Sequence, residues 1–350
     1  MVIYLKKIII LVVLFIVIVS FKSDNVKAVD YYARSYIVMD YNTGEVLESK
    51  DMHLQRSVAS ISKIMTAIVA LENSSLDKYV EVNEDILKAY GSSIYLKIGE
   101  VVTMQDLLYG LMLRSGNDAA VTIARGVSGS VEDFVELMNK KAKEIGMVNS
   151  LFNNPSGLDV DDDGNLSTSY DMAILMRYAL RNDKFREITS TKEYKSNSHG
   201  TWLNKNRLLR QYEYTSGGKT GFTTKARRTL VTSAKKDNLE FIVVTLDCGG
   251  DFAMHKDLYE KYFNTYKGYK LLNKGSNMFE EYELVCESDV YTLINKQNLE
   301  DSKIIYKIKG TEAEVVLDNG VNNKVIGKCK AYKIVNNKKK SSWWKRLLKK

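Results

Sequence analysis

The sequence predicts an α/β (α+β) chain in which an antiparallel sheet packs with a helical cluster, followed by a small all-β C-terminal domain. Three observations carry this. Strand-like runs near Tyr36 and again from Lys219 to Asp247 enclose a block of segments with helical period. From about Lys270 the texture changes to short alternating runs separated by turns. The 350 residues suffice for one large domain and a smaller one, and 45% hydrophobic with 27% charged is ordinary for a globular protein.

In chain order, Lys6 and Lys7 precede an unbroken apolar run, Ile8 to Val19, and Val26-Lys27-Ala28 offers small residues before a cleavage point. Residues 1–28 therefore read as a signal peptide. The alternative, a retained anchor, is disfavoured because the apolar stretch is shorter than the roughly 20 residues a span needs. Tyr36 to Ser49 reads as a hairpin turning at Asn42-Thr43-Gly44. Ser60 to Asn73 is helical, with Ile61, Ile64, Met65, Ile68 and Val69 on one stripe. Helices are also expected at Met104 to Arg114, Asp118 to Gly126, Val131 to Ile145 and Tyr170 to Leu180. Two begin with capping-box spacing, Ser130 with Asp133 and Thr168 with Asp171. Strands follow at Lys219 to Thr223, Thr229 to Ala234 and Phe241 to Asp247, the last two joined as a hairpin, and then an amphipathic helix at about Met254 to Tyr266. The domains expected are a large one over 29–270, a small β-sandwich-like one over 271–336, and a basic amphipathic tail over 337–350.

Charge and cysteine content narrow the function. The net charge of +8 resides at the ends: Lys6, Lys7, Lys22 and Lys27 stand against Asp24, and residues 338–350 hold seven Lys or Arg and no acid. The body is slightly acidic, which argues against a nucleic-acid partner. Trp343, Trp344, Leu347 and Leu348 beside that basic cluster suit an interfacial segment resting on a membrane surface. Cys248, Cys286 and Cys329 are too few for a disulfide scaffold and too scattered for a metal site. Buried free thiols are the expected state; a Cys286–Cys329 pairing is left open. His53, His199 and His255 form no close-spaced ligand pattern, so no metal and no cofactor are expected. Asp159, Asp161, Asp163 and Gly164 imitate the start of a calcium loop, but Tyr170 stands where a bidentate Glu is needed, which leaves a polar turn.

Three short motifs carry the chemistry: Ser60-Ile61-Ser62-Lys63, Ser115-Gly116-Asn117 and Lys219-Thr220-Gly221. Each alone is common; Ser-x-x-Lys also occurs at Ser75, Ser216, Ser233 and Ser342. Context separates this trio. Ser60 opens the strongest apolar-periodic helix, Ser115 lies between two helices, and Lys219 begins a strand after a glycine pair. Ser60 and Lys63 are one helical turn apart, so they meet on one face. A serine needs a neighbouring base, and an amine serves when burial or nearby positive charge lowers its pKa. Lys219 would supply such a charge and attract an anionic substrate group.

The ordered trio resembles that of penicillin-binding proteins and class A β-lactamases. Longer stretches resemble the serine D-alanyl-D-alanine carboxypeptidases: residues 59–67 (ASISKIMTA), 91–100 (GSSIYLKIGE), 152–158 (FNNPSGL) and 218–223 (GKTGFT). The similarity covers roughly Tyr31 to Tyr269 and continues faintly beyond. It implies a DD-peptidase/β-lactamase-like domain acting outside the cytoplasmic membrane. The implied reaction removes the terminal D-alanine from peptidoglycan stem peptides ending in D-Ala-D-Ala, with β-lactams as covalent inhibitors. It further implies Ser60 as acylated nucleophile, Lys63 as proton acceptor, Ser115 as proton shuttle and Asn117 on the substrate amide. Lys219 and Thr220 would hold the terminal carboxylate, Gly221 would admit the substrate strand, and the N–H groups of Ser60 and Phe222 would form an oxyanion hole.

Departures from the family pattern are Val58, where proline is common, and Arg227, where glycine is common. Lys205 and Arg207 fall near a usual carboxylate-binding arginine, in a loose alignment that assigns them no role. A β-lactamase is disfavoured because Glu136-Leu137-Met138-Asn139 does not supply the expected Glu-x-x-Leu-Asn. A non-enzymatic binder has no need of the Ser60–Lys63 pair.

Overall fold

Residues 33–40 alternate sides so that Ile37 and Met39 face one core while Val38 faces the other way, and the strand Ala33–Asp40 accordingly sits inside a sheet. The computed structural model describes residues 32–159, 164–320 and 322–334. The expected signal peptide, the tail at 337–350, Asp161 and Asp163 lie outside them. The main sheet has five antiparallel strands in the order Val46–Lys50, Ala33–Asp40, Leu239–Cys248, Arg227–Lys236, Thr215–Thr223. Strand Leu239–Cys248 is apolar on both faces because both are covered. Ile242, Val244 and Leu246 join the helical core, whereas Phe241 packs on Tyr262 and Phe263 of helix Asp251–Thr265. That helix also sets His255 between Thr232 and Thr245, with hydrogen-bond distances of 2.7 and 3.0 Å. Burial pushes the His255 pKa down to about 3, so this imidazole is neutral and structural.

The helical cluster consists mainly of Lys63–Asn73, Met104–Tyr109, Asn117–Ser128, Val131–Glu144, Ser169–Ala179 and Asp183–Ser190. The N-cap half of both expected capping boxes forms: Ser130 Oγ accepts from Asp133 N and Thr168 Oγ1 from Asp171 N, each at 3.0 Å, while the Asp171 carboxylate turns instead to Asn149 N and Ser150 Oγ. The expected single helix from Met104 to Arg114 is instead α-helical to Tyr109 and π-helical over Gly110–Arg114, ending at Ser115 in the left-handed region. Helix Asp183–Ser190 was not expected. Its eight residues bury only Phe185, Ile188 and Thr189, too short a stripe to read, although Asn182 caps it through Lys184 N and Phe185 N.

Towards the C-terminus, a five-stranded antiparallel sheet runs Gly275–Phe279, Tyr282–Cys286, Asn323–Lys333, Glu312–Asp318, Lys303–Lys309, beside the pair Tyr266–Leu272 and Val290–Asn295. Leu272, Leu284, Val290, Ala313, Val315 and Ala331 form its core. The cysteine expectation is corrected here: Cys286 and Cys329 are disulfide-bonded, with Cα atoms 4.4 Å apart, and only Cys248 is a buried free thiol. The two face each other directly across strands Tyr282–Cys286 and Asn323–Lys333. Strand register decides that pairing, and spacing along the chain carries no trace of it.

Candidate active site

Ser60 lies in a single 3₁₀ turn, Ala59–Ser62, which runs directly into helix Lys63–Asn73. The turn is held from two sides. Thr229 Oγ1, on the strand beside the edge strand, donates to Val58 O at 3.0 Å, and Val58 N donates to Asn165 O at 3.1 Å. The second bond explains why Val58 serves where proline is common: proline has no N–H to give, and the Val58 φ of −109° lies outside proline's range. Segment 152–158 packs beneath. Gly157, at φ +76°, approaches so closely that a Cβ there would sit 2.1 Å from Ala59 O.

This floor gives Lys63 its surroundings. Lys63 is fully buried, and its Nζ lies 3.0 Å from Ser60 Oγ and 2.7 Å from Asn117 Oδ1, with Ser156 O as a third close partner. A neutral amine has two N–H donors and one lone pair. Asn117 Oδ1 and Ser156 O can take the donors, which turns the lone pair to the Ser60 hydroxyl. Burial, followed by the nearby charges of Lys219 and Lys205, pushes the Lys63 pKa well below the ordinary lysine value, while Asp118 opposes the shift.

Ser115 caps the π-helical turn at φ +64°, a conformation uncommon for any residue but glycine. The same strained region is occupied by Ala59 (φ +51°), just before Ser60, and by Arg227 (φ +60°), just after the third motif. Arg227 thus adopts the backbone that makes glycine common there. Asn117 is fixed by Nδ2–H to Tyr90 O at 2.5 Å and by its own N–H to Ser92 O at 2.7 Å.

The strand Thr215–Thr223 is one of the sheet's two edge strands. Its Lys219 is buried, donates to Thr220 O at 2.8 Å, and is pushed down to about 7 by burial and then by Lys205. A Cβ on Gly221 would lie 2.4 Å from Thr229 Oγ1 and 3.0 Å from Ser60 N, so a side chain is excluded beside the Ser60 amide. Asp159 accepts from Thr223 and, at 2.7 Å, from Ser57 Oγ, which ties the end of this strand to the approach to Ser60.

A cleft of about 320 Å³ opens over these groups, lined by Ser60, Ser115, Thr220 and Gly221. Lys63, Asn117 and Lys219 lie beneath its surface. Phe222, whose N–H is expected in the oxyanion hole, also lines it, and residues without an assigned role complete it: Ser92, Lys205, Arg228, Asp251 and Phe252. Lys205 donates to Ser92 Oγ at 2.9 Å, and Arg228 pairs with Asp251 at 2.6 Å. Arg207 stacks over Phe252 at 4.5 Å. Ser156 acts through its carbonyl, which no side-chain pattern could announce. A larger hollow around Arg177 and Arg181 has no serine–lysine pair lining it. Among the described residues no cluster of His, Cys, Asp and Glu could hold a metal ion. The arrangement can deprotonate a serine, accept an anionic group and admit an extended strand at its edge.

The family model described as D-alanyl-D-alanine carboxypeptidase, peptidase S11, matches residues 22–250. The D-alanyl-D-alanine carboxypeptidase DacF of Bacillus subtilis is 39% identical over 61% of this chain, and the match spans 56% of that relative's length. The D-alanyl-D-alanine carboxypeptidase DacA of Escherichia coli K12 is 31% identical over 84% of this chain and 78% of its own length. Penicillin-binding protein 5 of Haemophilus influenzae is a structural neighbour with a TM-score of 0.75 at 26% identity, covering 87% of this chain and 97% of its own.

Proposed function

The chain belongs to the D-alanyl-D-alanine carboxypeptidase family, and from that we propose that it removes the terminal D-alanine of peptidoglycan stem pentapeptides through an acyl-Ser60 intermediate. The observation that carries the reading is the buried Lys63 Nζ, 3.0 Å from Ser60 Oγ, with its pKa pushed well below the ordinary lysine value by burial. Lys63 takes the hydroxyl proton as Ser60 Oγ attacks the carbonyl of the penultimate D-alanine. The oxyanion is met by the N–H groups of Ser60 and Phe222. As the C–N bond breaks, Ser115 relays the proton from Lys63 to the leaving D-alanine nitrogen. Water then attacks the ester, gives its proton to the same base, and Ser60 leaves with a proton restored.

Asn117 orients the substrate amide. Lys219 and Thr220 receive the terminal carboxylate, and a bound carboxylate favours the protonated form of a lysine poised near 7. Gly221 leaves room for the substrate strand alongside the edge strand. A β-lactam enters the same acylation step and remains on Ser60, because ring opening leaves the departing nitrogen tethered to the acyl group, where it obstructs the approach of water.

In this reading residues 29–270 are the catalytic part, 271–336 the β part, and the enzyme works outside the cytoplasmic membrane. The Cys286–Cys329 bridge supports that compartment, because disulfides persist where thiols are not kept reduced. Delivery by residues 1–28 and membrane attachment by the basic tail at 337–350 belong to the proposal. No helix among the described residues is long and apolar enough to cross a membrane.

The test is to incubate the purified protein with a penicillin, follow intact mass, map the adduct, and assay D-alanine release from a pentapeptide. A long-lived adduct on the Ser60 peptide, with D-alanine release lost in Ser60→Ala, is expected. Rapid drug turnover would point to a β-lactamase, and an untouched drug with no D-alanine released would leave a binding module.

A further inference from the structure

Exposed large apolar side chains crowd residues 79–101, the segment that contributes Ser92 to the cleft: Tyr79, Leu87, Tyr90, Tyr95, Ile98 and Val101. Tyr95 stands out among them. It is 79% exposed, while its neighbours Ile94 and Leu96 are buried. Its φ of +66° is a conformation a bulky side chain rarely takes. A built clamp enforces it. The buried carboxylate of Asp118 accepts from the N–H groups of Ile94 and Leu96, each at 3.1 Å, and from the Ser93 hydroxyl. Ser93 Oγ in turn accepts from Tyr95 N at 2.8 Å. Asp118 follows Asn117 of the second motif, so one turn of chain holds the site and thrusts the Tyr95 ring into solvent.

We infer that Tyr95 is a carbohydrate-contacting residue, whose ring stacks on a sugar of the glycan strand that carries the stem peptide seated in the cleft. The inference rests on the proposed function. Continuity supports this occupant. Ser92 lines the cleft, and three residues of chain reach at most about 10 Å, while the four stem residues between glycan and scissile bond span at most about 14 Å. A pyranose offers an uncharged C–H face with hydroxyls at its rim, matching an aromatic body with a polar tip. An outlier backbone maintained by a buried carboxylate for an exposed side chain is better explained by a ligand than by packing, since the ring packs on little.

The experiment compares kcat/KM for D-alanine release from glycan strands bearing pentapeptides with that from the free pentapeptide. Tyr95→Gly removes the ring while accepting the positive φ freely, and Tyr95→Phe keeps the ring. The strand-to-peptide ratio should fall about two- to tenfold in Tyr95→Gly and hold in Tyr95→Phe. An unchanged ratio in Tyr95→Gly, or an equal fall on both substrates, would overturn the inference. If the parent released D-alanine from neither substrate, the carboxypeptidase reading would fail separately. An NMR titration with peptide-free glycan strands would then decide the Tyr95 contact on its own.

Discussion

Replacing Lys63 by methionine separates the base from everything else in the cleft. Methionine keeps the length and apolar stem of the side chain but can neither accept the Ser60 proton nor donate to Asn117 Oδ1 and Ser156 O. A positioned general base contributes about 10²–10⁴-fold, or roughly 3–5 kcal/mol of barrier. The 3.0 Å separation places Lys63 within transfer distance without an intervening water. Acylation by penicillin, read as the rate of adduct formation by intact mass, should therefore fall by about that factor in Lys63→Met. Lys63→Arg should fall as far, because a guanidinium does not release its proton. In the parent, acylation should rise with pH through the depressed Lys63 pKa, since only the neutral amine is a base; both variants should lose that limb. Acylation of Lys63→Met within about tenfold of the parent would refute the assignment. Retention in Lys63→Arg alone would show that positive charge, not basicity, is what Ser60 requires.

Three further outcomes follow from the same geometry. Lys219 is held near 7 against an ordinary 10.5, so between those pH values the unfolded chain binds the extra proton and stability rises with pH. Lys219→Met should therefore be more stable than the parent at pH 7 by on the order of 3 kcal/mol, with the gap closing toward pH 10.5 in urea denaturation; a gap independent of pH would contradict this. Gly221→Ala, whose Cβ would meet Thr229 Oγ1 and the Ser60 amide, should slow acylation by about 100-fold, and normal acylation would mean that the edge strand tolerates bulk there. Cys286→Ala with Cys329→Ala opens a loop with a sequence separation of 43. Chain entropy sets the cost at about 4 kcal/mol, felt in hydrogen exchange of the C-terminal sheet, with Ser60 acylation retained. Loss of acylation would show that the two sheets are coupled.

Legibility in the sequence followed the range of the interaction. Ser60 and Lys63 were readable as a pair because they are one helical turn apart. The hairpin at Asn42-Thr43-Gly44 and the caps at Ser130 and Thr168 were readable because their bonds close within a few residues. Helix Asp183–Ser190 escaped because its buried stripe is too short to establish a period. The π-helical turn before Ser115 escaped because its apolar spacing imitates an α-helix. Arg227 was visible only as a departure from glycine, and its left-handed backbone supplied the reason.

Sequence alone carried the longer helices and strands, the two textures of the chain, the three motifs and the local serine–lysine contact. All of these depend on periodicity or on neighbours within one turn. The tertiary structure alone decided that Cys286 faces Cys329, that the Ser156 carbonyl completes the Lys63 environment, and that Lys205 and Lys219 lie near enough to depress Lys63. Strand register, desolvation and through-space charge depend on every group brought close by folding, whatever its distance along the chain. The chemistry of Ser60 is therefore written in short motifs, while its reactivity is set by the packing that buries an amine among other cations.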